Sequence, residues 1–119
     1  MAIPTQLAAI DFCYVTTTGR TTGRPHRIEI WFAIENGVLY MLSGGGDSAD
    51  WVRNIRKDRE VRIQVGSRST AAKARMVRAT REDQRARELL DEKYMGWKAG
   101  KSLSSWARGA TPVAVDLPR

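Results

Sequence analysis

The chain of 119 residues is poor in cysteine and histidine, with one of each, and it has no long apolar run. One cysteine cannot form a disulfide within the chain, and such scarcity is typical of a reducing compartment, so we expect a cytoplasmic protein. Residues 1–12 lack the basic and long apolar segments of a signal peptide. No apolar run approaches the ~20 residues of a membrane span. These absences favour one small globular domain over residues 1–119.

Most chemistries that side chains perform alone are also excluded. His26 and Cys13 are too few for a usual zinc site, and no acidic residues have metal-ligand spacing. No Ser-His-acid set is evident, because His26 lies between Pro25 and Arg27 without an orienting acid. The segment 19–23 precedes a strand rather than a helix, unlike a P-loop or a dinucleotide-binding motif. We therefore assign no catalytic side chain and no metal, and an enzyme of this sequence would need an organic cofactor.

Positive charge is in excess: 20 lysines and arginines stand against 13 acidic residues, giving a formal net charge of +7. Such a surplus favours polyanionic partners, although a basic surface kept for solubility is the alternative. The basic residues near glycines fall in two groups: Arg20, Arg24 and Arg27, then Arg53, Arg56, Lys57 and Arg59. If these two groups converge, they would suit a compact anionic ligand better than a long nucleic acid duplex.

The hydrophobic pattern predicts a mainly β fold with two or three helices. We expect strands at 13–18, 27–34, 38–42, 60–65, 72–78 and 112–117. The strand over 27–34 is nearly all apolar, which predicts burial on both of its faces. The dipeptide Asn36-Gly37 predicts a type I′ hairpin into the following strand, because both residues tolerate a positive φ.

Two helices are indicated by apolar stripes at helical spacing. We expect the first to have Asp47 as its N-cap and to run to about Lys57. Thr80 is the expected cap of the second helix, with Asp83 as the acid of a capping box. A looser connection with one further helical turn follows, before the last strand.

Two glycine-containing segments have the chemistry to hold an anion. Residues 16–27 bring together backbone N–H groups, hydroxyls and guanidinium groups, which are the donors that bind phosphate or carboxylate. Residues 43–46 precede a helix whose N-terminus adds positive potential, although a flexible connection is an equally good interpretation. Asn54 has poor helix propensity, so we expect it to bond a specific partner, either the Thr-Gly-Arg loop or a ligand.

In this order and spacing, the segments resemble the deazaflavin-dependent nitroreductase family. The matching motifs are Thr-Thr-Thr-Gly-Arg-x-Thr-Gly-x-Pro, Ser-x-Gly-Gly and Trp-x-x-Asn-Ile, at residues 16–25, 43–46 and 51–55. The resemblance covers residues 13–66 closely and residues 80–117 more loosely. It implies the split β-barrel of pyridoxamine-phosphate oxidase and of the flavin/deazaflavin oxidoreductases, and a homodimer.

The resemblance also implies a cofactor, coenzyme F-420, which is a deazaflavin with a phosphate and an oligoglutamate tail. A hydride would pass from it to a small organic acceptor, which stays open among quinones, enones and nitro compounds. Arg20, Thr21, Thr22 and Gly23 would line the phosphate end, with Arg24 and His26 nearby. Ser43, Gly44 and Gly45 would face the ring system or the phosphate, and Trp51 and Asn54 would shape the pocket from the helix.

Two positions depart from the family pattern. The family often has lysine where Thr21 and Gly44 stand here, so two cations for a phosphate are missing. Arg24, Arg27 and Arg53 are the candidates to replace them. The alternatives are therefore an FMN- or FAD-binding oxidoreductase or flavin carrier of the same fold and, from another class, a basic β-barrel that binds nucleic acid. The last fits less well, because the aromatic residues lie mostly in apolar runs rather than beside basic residues.

Overall fold

A computed structural model describes residues 5–118 of the chain. Within this range seven strands are present: β1 (Cys13–Thr18), β2 (Pro25–Ile30), β3 (Ala33–Glu35), β4 (Val38–Ser43), β5 (Glu60–Val65), β6 (Arg68–Met76) and β7 (Thr111–Asp116). The α-helices are α1 (Asp50–Lys57), α2 (Thr80–Met95) and α3 (Ser105–Gly109), and short 3-10 turns lie at Thr5–Ala9 and Gly46–Ser48. No helix in the described range has the length and apolarity to cross a membrane. Nor do the His, Cys, Asp and Glu residues of that range cluster as metal ligands do.

The strands form one antiparallel sheet in the order β2-β1-β5-β6-β7-β4-β3. β2 and β3 lie at opposite edges of this sheet, although only Trp31 and Phe32 separate them in the chain. Three residue steps extend no more than about 11 Å, so the sheet must curl until its two edges nearly meet. The result is a barrel with a split between the free edge of β2 and the β3–β4 edge, which is the mainly β architecture expected from the sequence.

Alternating strand residues bury two separate cores. The core inside the barrel includes Val15, Phe32, Met41, Val52, Ile55, Ile63 and Val115. The outer core, where α2 and α3 cover β4 and β7, includes Tyr40, Leu42, Ala86, Leu90, Ala107 and Ala114. β4 contributes to both because successive side chains of a strand point to opposite faces. One helix, α1, therefore packs into the barrel, whereas α2 and α3 pack on its outside.

Local signals located several elements well. β1 and β5 have their predicted bounds, and α1 ends at Lys57 as expected. The hairpin is confirmed, since Glu35 pairs with Val38 and φ is 53° at Asn36 and 76° at Gly37. β6 begins four residues earlier than predicted, directly after a two-residue turn.

The predicted strand over 27–34 is wrong in two respects. It is broken at Trp31 and Phe32, and it is not buried on both faces, because Glu29 is exposed and Trp31 is 43% exposed. The physical reason is barrel closure. At this point the chain leaves one sheet edge and joins the other, and an edge strand has no neighbour on one side.

The predicted cap of the first helix is also wrong. Asp47 lies in the 3-10 turn, and α1 begins three residues later, after Ala49, without a side-chain cap. The carboxylate of Asp47 instead pairs with the Arg56 guanidinium at 3.0 Å. A charged partner one helix length away therefore replaces the backbone N–H groups that a cap would have bound.

The second helix shows the same effect. α2 begins at Thr80 itself, after Ala79, and neither residue caps it through a side chain. The expected capping-box acid, Asp83, pairs with Arg87 one turn along the helix, at 2.7 Å. An i,i+4 ion pair has thus replaced the capping box.

Candidate functional site

The loop that joins β1 to β2, called here the basic loop (residues 19–24), is closed by its own hydrogen bonds. The Gly19 N–H donates to the Arg24 carbonyl over 2.7 Å, and the Gly23 N–H donates to the Gly19 carbonyl over 2.8 Å. The Arg24 N–H donates to Thr22 Oγ1 over 3.2 Å. The backbone of the loop is therefore held in shape before any ligand binds.

Arg20 fixes the basic loop to α1. Asn54 Oδ1 accepts hydrogen bonds from the Arg20 N–H (3.1 Å) and from Arg20 Nη1 (2.9 Å), and Asn54 Nδ2 donates to Thr17 Oγ1 (3.0 Å). Arg20 Nη2 lies 3.0 Å from Asp50 Oδ1, and Lys57 Nζ donates to the Arg20 carbonyl over 2.7 Å. The mid-helix Asn54 thus has the basic loop as its partner, which is one of the two alternatives that its poor propensity suggested.

Three shallow grooves surround Arg20. The first, of about 210 Å³, is lined by Gly19, Thr21, Thr22, His26, Asp50 and Asn54. The second, of about 500 Å³, lies between the basic loop and the residues Lys57 and Asp58. The third is lined by Asp47, Ser48, Arg53 and Arg56. Two basic groups that are about thirty residues apart in the chain therefore converge around one arginine.

Two arginines of these groups lie elsewhere. Side-chain alternation in β2 turns Arg27 to the outer face of the sheet, where its guanidinium lies 3.9 Å above the Tyr14 ring and 3.4 Å from Gln64 Oε1. Arg59 donates from Nε to the Ala74 carbonyl over 3.1 Å. Neither lines the grooves, so Arg27 does not replace the missing lysines.

His26 takes the opposite side of β2 from Arg27 and lies opposite Thr17 in the sheet register. Its ring covers Gly19 so closely that a Cβ added there would lie 2.6 Å from His26 Nε2. Glycine is therefore required at position 19, and His26 forms one wall of the first groove.

The other predicted site residues lie near the grooves without lining them. Ser43 is buried and its hydroxyl donates to the Gly46 carbonyl over 2.9 Å. Gly44 and Gly45 are exposed in the same turn, which reaches Arg20 through Asp47 and Ser48 instead. Trp51 is half-buried against the inner core, as a packing anchor would be, and the Arg24 side chain is exposed.

At the opposite end of β2 lies an aromatic cluster formed by Trp31, Tyr94 and Trp106. The rings of Trp31 and Tyr94 stack in parallel with centroids 4.3 Å apart, and Trp106 meets Trp31 edge-on at 5.4 Å. A pocket of about 240 Å³ opens beside it, lined by Phe12, Glu29, Ile30, Trp31, Leu42 and Trp106. This arrangement presents aromatic faces and edges to a planar ligand.

Polar contacts beneath the cluster hold Tyr94 in place. Its hydroxyl donates to the Asp11 carbonyl at 2.6 Å and accepts from the Phe32 N–H at 3.1 Å. Lys93 Nζ donates to the carbonyls of Ile10 (2.7 Å) and Phe32 (2.9 Å). Burial raises the pKa of Tyr94 to about 12 and lowers the pKa of Lys93. The tyrosine is therefore a neutral structural donor at neutral pH.

Helix α2 holds α3, which carries Trp106, at both ends. The buried Asp91 accepts hydrogen bonds from the Ser104 N–H (2.8 Å) and hydroxyl (2.6 Å), at the residue that caps α3. Arg87 Nη1 donates to the carbonyls of Ala107 (2.7 Å) and Ala110 (2.7 Å) at the other end. A helix of five residues is too short to be stable alone, so these contacts fix the position of Trp106.

Sequence reasoning missed this cluster as a site. Its residues come from the β2–β3 junction, from α2 and from α3, and no local spacing relates positions 31, 94 and 106. The one available signal was the concentration of aromatic residues after position 90, which indicated no partner.

The residues present fit an elongated ligand with an anionic tail and a planar ring. The basic end offers the hydroxyls and free N–H groups of Thr21 and Thr22, and the side chain of Arg53 has no hydrogen-bond or ion-pair partner in the part of the chain described. The aromatic end offers ring faces. β2 connects the two ends over roughly 17 Å, the length of its six residues.

Comparison with known proteins gives a family match over residues 2–118, to F420H(2)-dependent quinone reductase. No curated protein matches the chain in sequence. Solved structures of similar fold include a conserved hypothetical protein of Mycobacterium tuberculosis, which is 17% identical with a TM-score of 0.78 and covers 100% of this chain and 82% of its own.

Two further structures are an F420-H2 dependent reductase and a candidate pyridoxamine 5'-phosphate oxidase of Listeria innocua. The first is 22% identical with a TM-score of 0.66, over 88% of this chain and 93% of its own. The second is 12% identical with a TM-score of 0.69, over 95% of this chain and 88% of its own. These likenesses establish the fold and confirm the expected split barrel of the pyridoxamine-phosphate oxidase type.

Proposed function

We propose that this chain, which belongs to the F420H(2)-dependent quinone reductase family, reduces a quinone or a similar planar acceptor bound at its aromatic cluster. Membership of this family confirms the expected resemblance to deazaflavin-dependent reductases and makes the chain an oxidoreductase with coenzyme F-420 as cofactor. The acceptor and the residues that bind it are the proposal. The observation that supports it is the position of a cationic end and an aromatic end on one strand, β2.

The basic end is proposed to hold the anionic part of the cofactor. Arg20 is already oriented by Asn54, and the Thr21 and Thr22 side chains line the same groove. Arg53 adds a second cation where the family's usual lysines are absent. Charge-assisted hydrogen bonds from guanidinium groups are the strongest that such a site can offer to a phosphate.

The aromatic end is proposed to orient the acceptor and to exclude water from it. When bound, the reduced cofactor supplies a hydride. The chain's own contribution is to keep the reacting partners in contact and in a fixed orientation, since no side chain of the described residues is arranged as an acid, base or nucleophile for the reaction.

Titration of the purified protein with coenzyme F-420, FMN and FAD, followed by tryptophan fluorescence, tests the cofactor part. We expect saturable quenching by coenzyme F-420 and little by the other two. Loss of the reduced cofactor's absorbance on adding a soluble quinone tests the acceptor part. Binding without turnover by quinones, enones or nitro compounds would contradict the proposed reaction.

Replacing Arg20 by Ala tests the basic end. We expect cofactor binding to weaken by about 1.5–3 kcal/mol, the range for a hydrogen bond to a charged group. Arg81, exposed near the start of α2, provides a matched control in which the same change should leave binding unaltered. Equal affinities of the Arg20→Ala variant and the parent protein would remove the proposed phosphate role of Arg20.

We also propose a homodimer. Phe12 and Trp31 are exposed large apolar side chains, 38% and 43% respectively, and Phe12 meets Tyr14 edge-on at 5.9 Å on the neighbouring strand. A contiguous aromatic patch on a monomer is a frequent contact surface. Light scattering after size exclusion should give twice the chain mass, and Phe12→Ser should shift the mass to that of one chain. A monomeric parent protein would contradict this assembly.

A further inference from the structure

We infer that the Asp50 carboxylate is a built-in competitor for the anion at Arg20 and so sets how tightly the basic end binds its ligand. The inference rests on the proposed function in one respect, that the first groove receives the anionic part of the cofactor. It adds a residue that opposes binding, where the proposal names only residues that favour it.

The Asp50 side chain lies on the groove side of Arg20 and is held by little else. Its Oδ1 is 3.0 Å from Arg20 Nη2, and both residues line the groove with Thr22 and His26. The side chain is 84% exposed, whereas that of Arg20 is 31% exposed. Exposed ion pairs of this kind are weak, so a ligand with more negative charge can displace the carboxylate.

Arg20 does not depend on Asp50 for its position. Asn54 Oδ1, which is buried, holds both the main-chain N–H and Nη1 of Arg20. Lys57 anchors the Arg20 carbonyl from the other side. Removal of the Asp50 charge therefore leaves the guanidinium in place and changes mainly the electrostatics of the groove.

The sign of the effect follows from charge. A carboxylate 3.0 Å from the guanidinium neutralises part of the attraction that Arg20 would exert on a phosphate and repels the phosphate directly. Two unit charges about 4 Å apart in water interact by an amount equivalent to about a fivefold change in affinity. The neighbouring pair of Asp47 and Arg56 acts on the third groove and leaves the first groove to Asp50.

The experiment compares Asp50→Asn with the parent protein. We expect Asp50→Asn to bind coenzyme F-420 about fivefold more tightly, measured by tryptophan quenching at low salt. The gain should shrink in 0.5 M salt, because screening weakens exposed charges. A phosphate-free deazaflavin riboside should bind both proteins equally. Weaker or unchanged binding of coenzyme F-420 by Asp50→Asn overturns the inference.

Glu92→Gln is the matched control, since Glu92 is an exposed carboxylate on α2 and its loss changes the net charge equally. A gain of the same size in this variant would assign the effect to net charge and overturn the inference. Thermal unfolding of each variant checks that α1 stays intact.

Inorganic pyrophosphate separates this inference from the proposed function. If the parent protein fails to bind coenzyme F-420 but pyrophosphate binds Asp50→Asn more tightly than the parent, the proposed function falls and the inference stands. If the parent binds coenzyme F-420 and Asp50→Asn gains nothing with either ligand, the inference falls and the proposed function stands.

Discussion

The two ends of β2 are built in different ways. The basic loop is a short segment whose hydrogen bonds are nearly all local or made to α1, and its charged side chains are largely in solvent. The aromatic cluster is assembled from the β2–β3 junction, α2 and α3, and each of its rings is held by residues far away in the chain.

This difference has a thermodynamic consequence. Loss of one contact in the basic loop should change ligand binding more than folding, because exposed charges contribute little to stability. Loss of one contact behind the aromatic cluster should change folding first, because buried polar groups are left without partners. The four predictions that follow test this contrast.

The largest expected effect is that of Asp91→Ala. The change removes the acceptor of both hydrogen bonds from Ser104 and leaves the N–H and hydroxyl of that residue without partners. We expect the free energy of unfolding to fall by about 3 kcal/mol, measured by urea denaturation. Cofactor binding at the basic end should persist in the folded fraction, while quinone reduction should be lost with the position of Trp106.

The control for this prediction is Glu92→Ala, one residue along and exposed, which should cost less than ~0.5 kcal/mol. If Asp91→Ala abolished cofactor binding in folded protein, the two ends would be coupled and the contrast between them would not hold.

The second prediction concerns pH. The Arg75 guanidinium and the Tyr40 hydroxyl hydrogen-bond Glu82 near the start of α2 and hold its pKa at about 2, below the ordinary 4.5. Because the folded-state pKa is the lower one, the stabilisation is present above pH 4.5 and is lost as pH falls toward 2. We expect about 2 kcal/mol, since solvent reaches part of this pair.

Glu82→Gln tests this assignment. At pH 7 the variant should be less stable than the parent protein by that amount, and its unfolding midpoint should fall less between pH 5 and pH 2. Glu60→Gln, which removes an exposed partner of Lys73 at 3.8 Å, should keep the acid dependence of the parent. A parallel acid profile in Glu82→Gln would show that the ion pair does not anchor α2.

The same contrast explains what could be predicted from the sequence. The Asn36-Gly37 turn, the bounds of β1 and the end of α1 are determined by neighbouring residues, and the sequence indicated them. The break at Trp31 was missed because it depends on closure of the sheet, which brings together edges that are distant in the strand order. The caps at Asp47 and Asp83 were mispredicted because an arginine elsewhere on the helix binds each carboxylate.

The site follows this rule as well. The residues of the basic loop and Asn54 lie in motifs with fixed spacing, so they could be named as a group, and the structure brings most of them around Arg20. Trp31, Tyr94 and Trp106 share no motif, and only the packing of α2 and α3 against the barrel brings them together. The pairing of Arg20 with Asp50 likewise needed coordinates, because an acid at the start of a helix is ordinary.

The third prediction returns to the basic loop, where Asn54 is the one buried polar residue of α1. Asn54→Ala would leave Thr17 Oγ1 and the Arg20 N–H without their partner. We expect a loss of about 2 kcal/mol in unfolding free energy together with at least tenfold weaker cofactor binding. Asn54→Asp should retain the acceptor for Arg20 and recover part of the stability. If binding were unchanged in the alanine variant, Arg20 would not need the support of α1.

The smallest expected effect is that of Tyr94→Phe, which keeps the stacked ring and removes only the hydroxyl. The Phe32 N–H then loses its side-chain acceptor, so we expect a destabilisation of about 1 kcal/mol. KM for the quinone should rise a fewfold while cofactor affinity stays constant, because Trp31 loses the fixed plane against which it stacks. Tyr14→Phe, a matched loss of hydroxyl on the outer sheet face, should alter neither value. A change in cofactor affinity rather than in KM would place the aromatic cluster at the cofactor instead of at the acceptor.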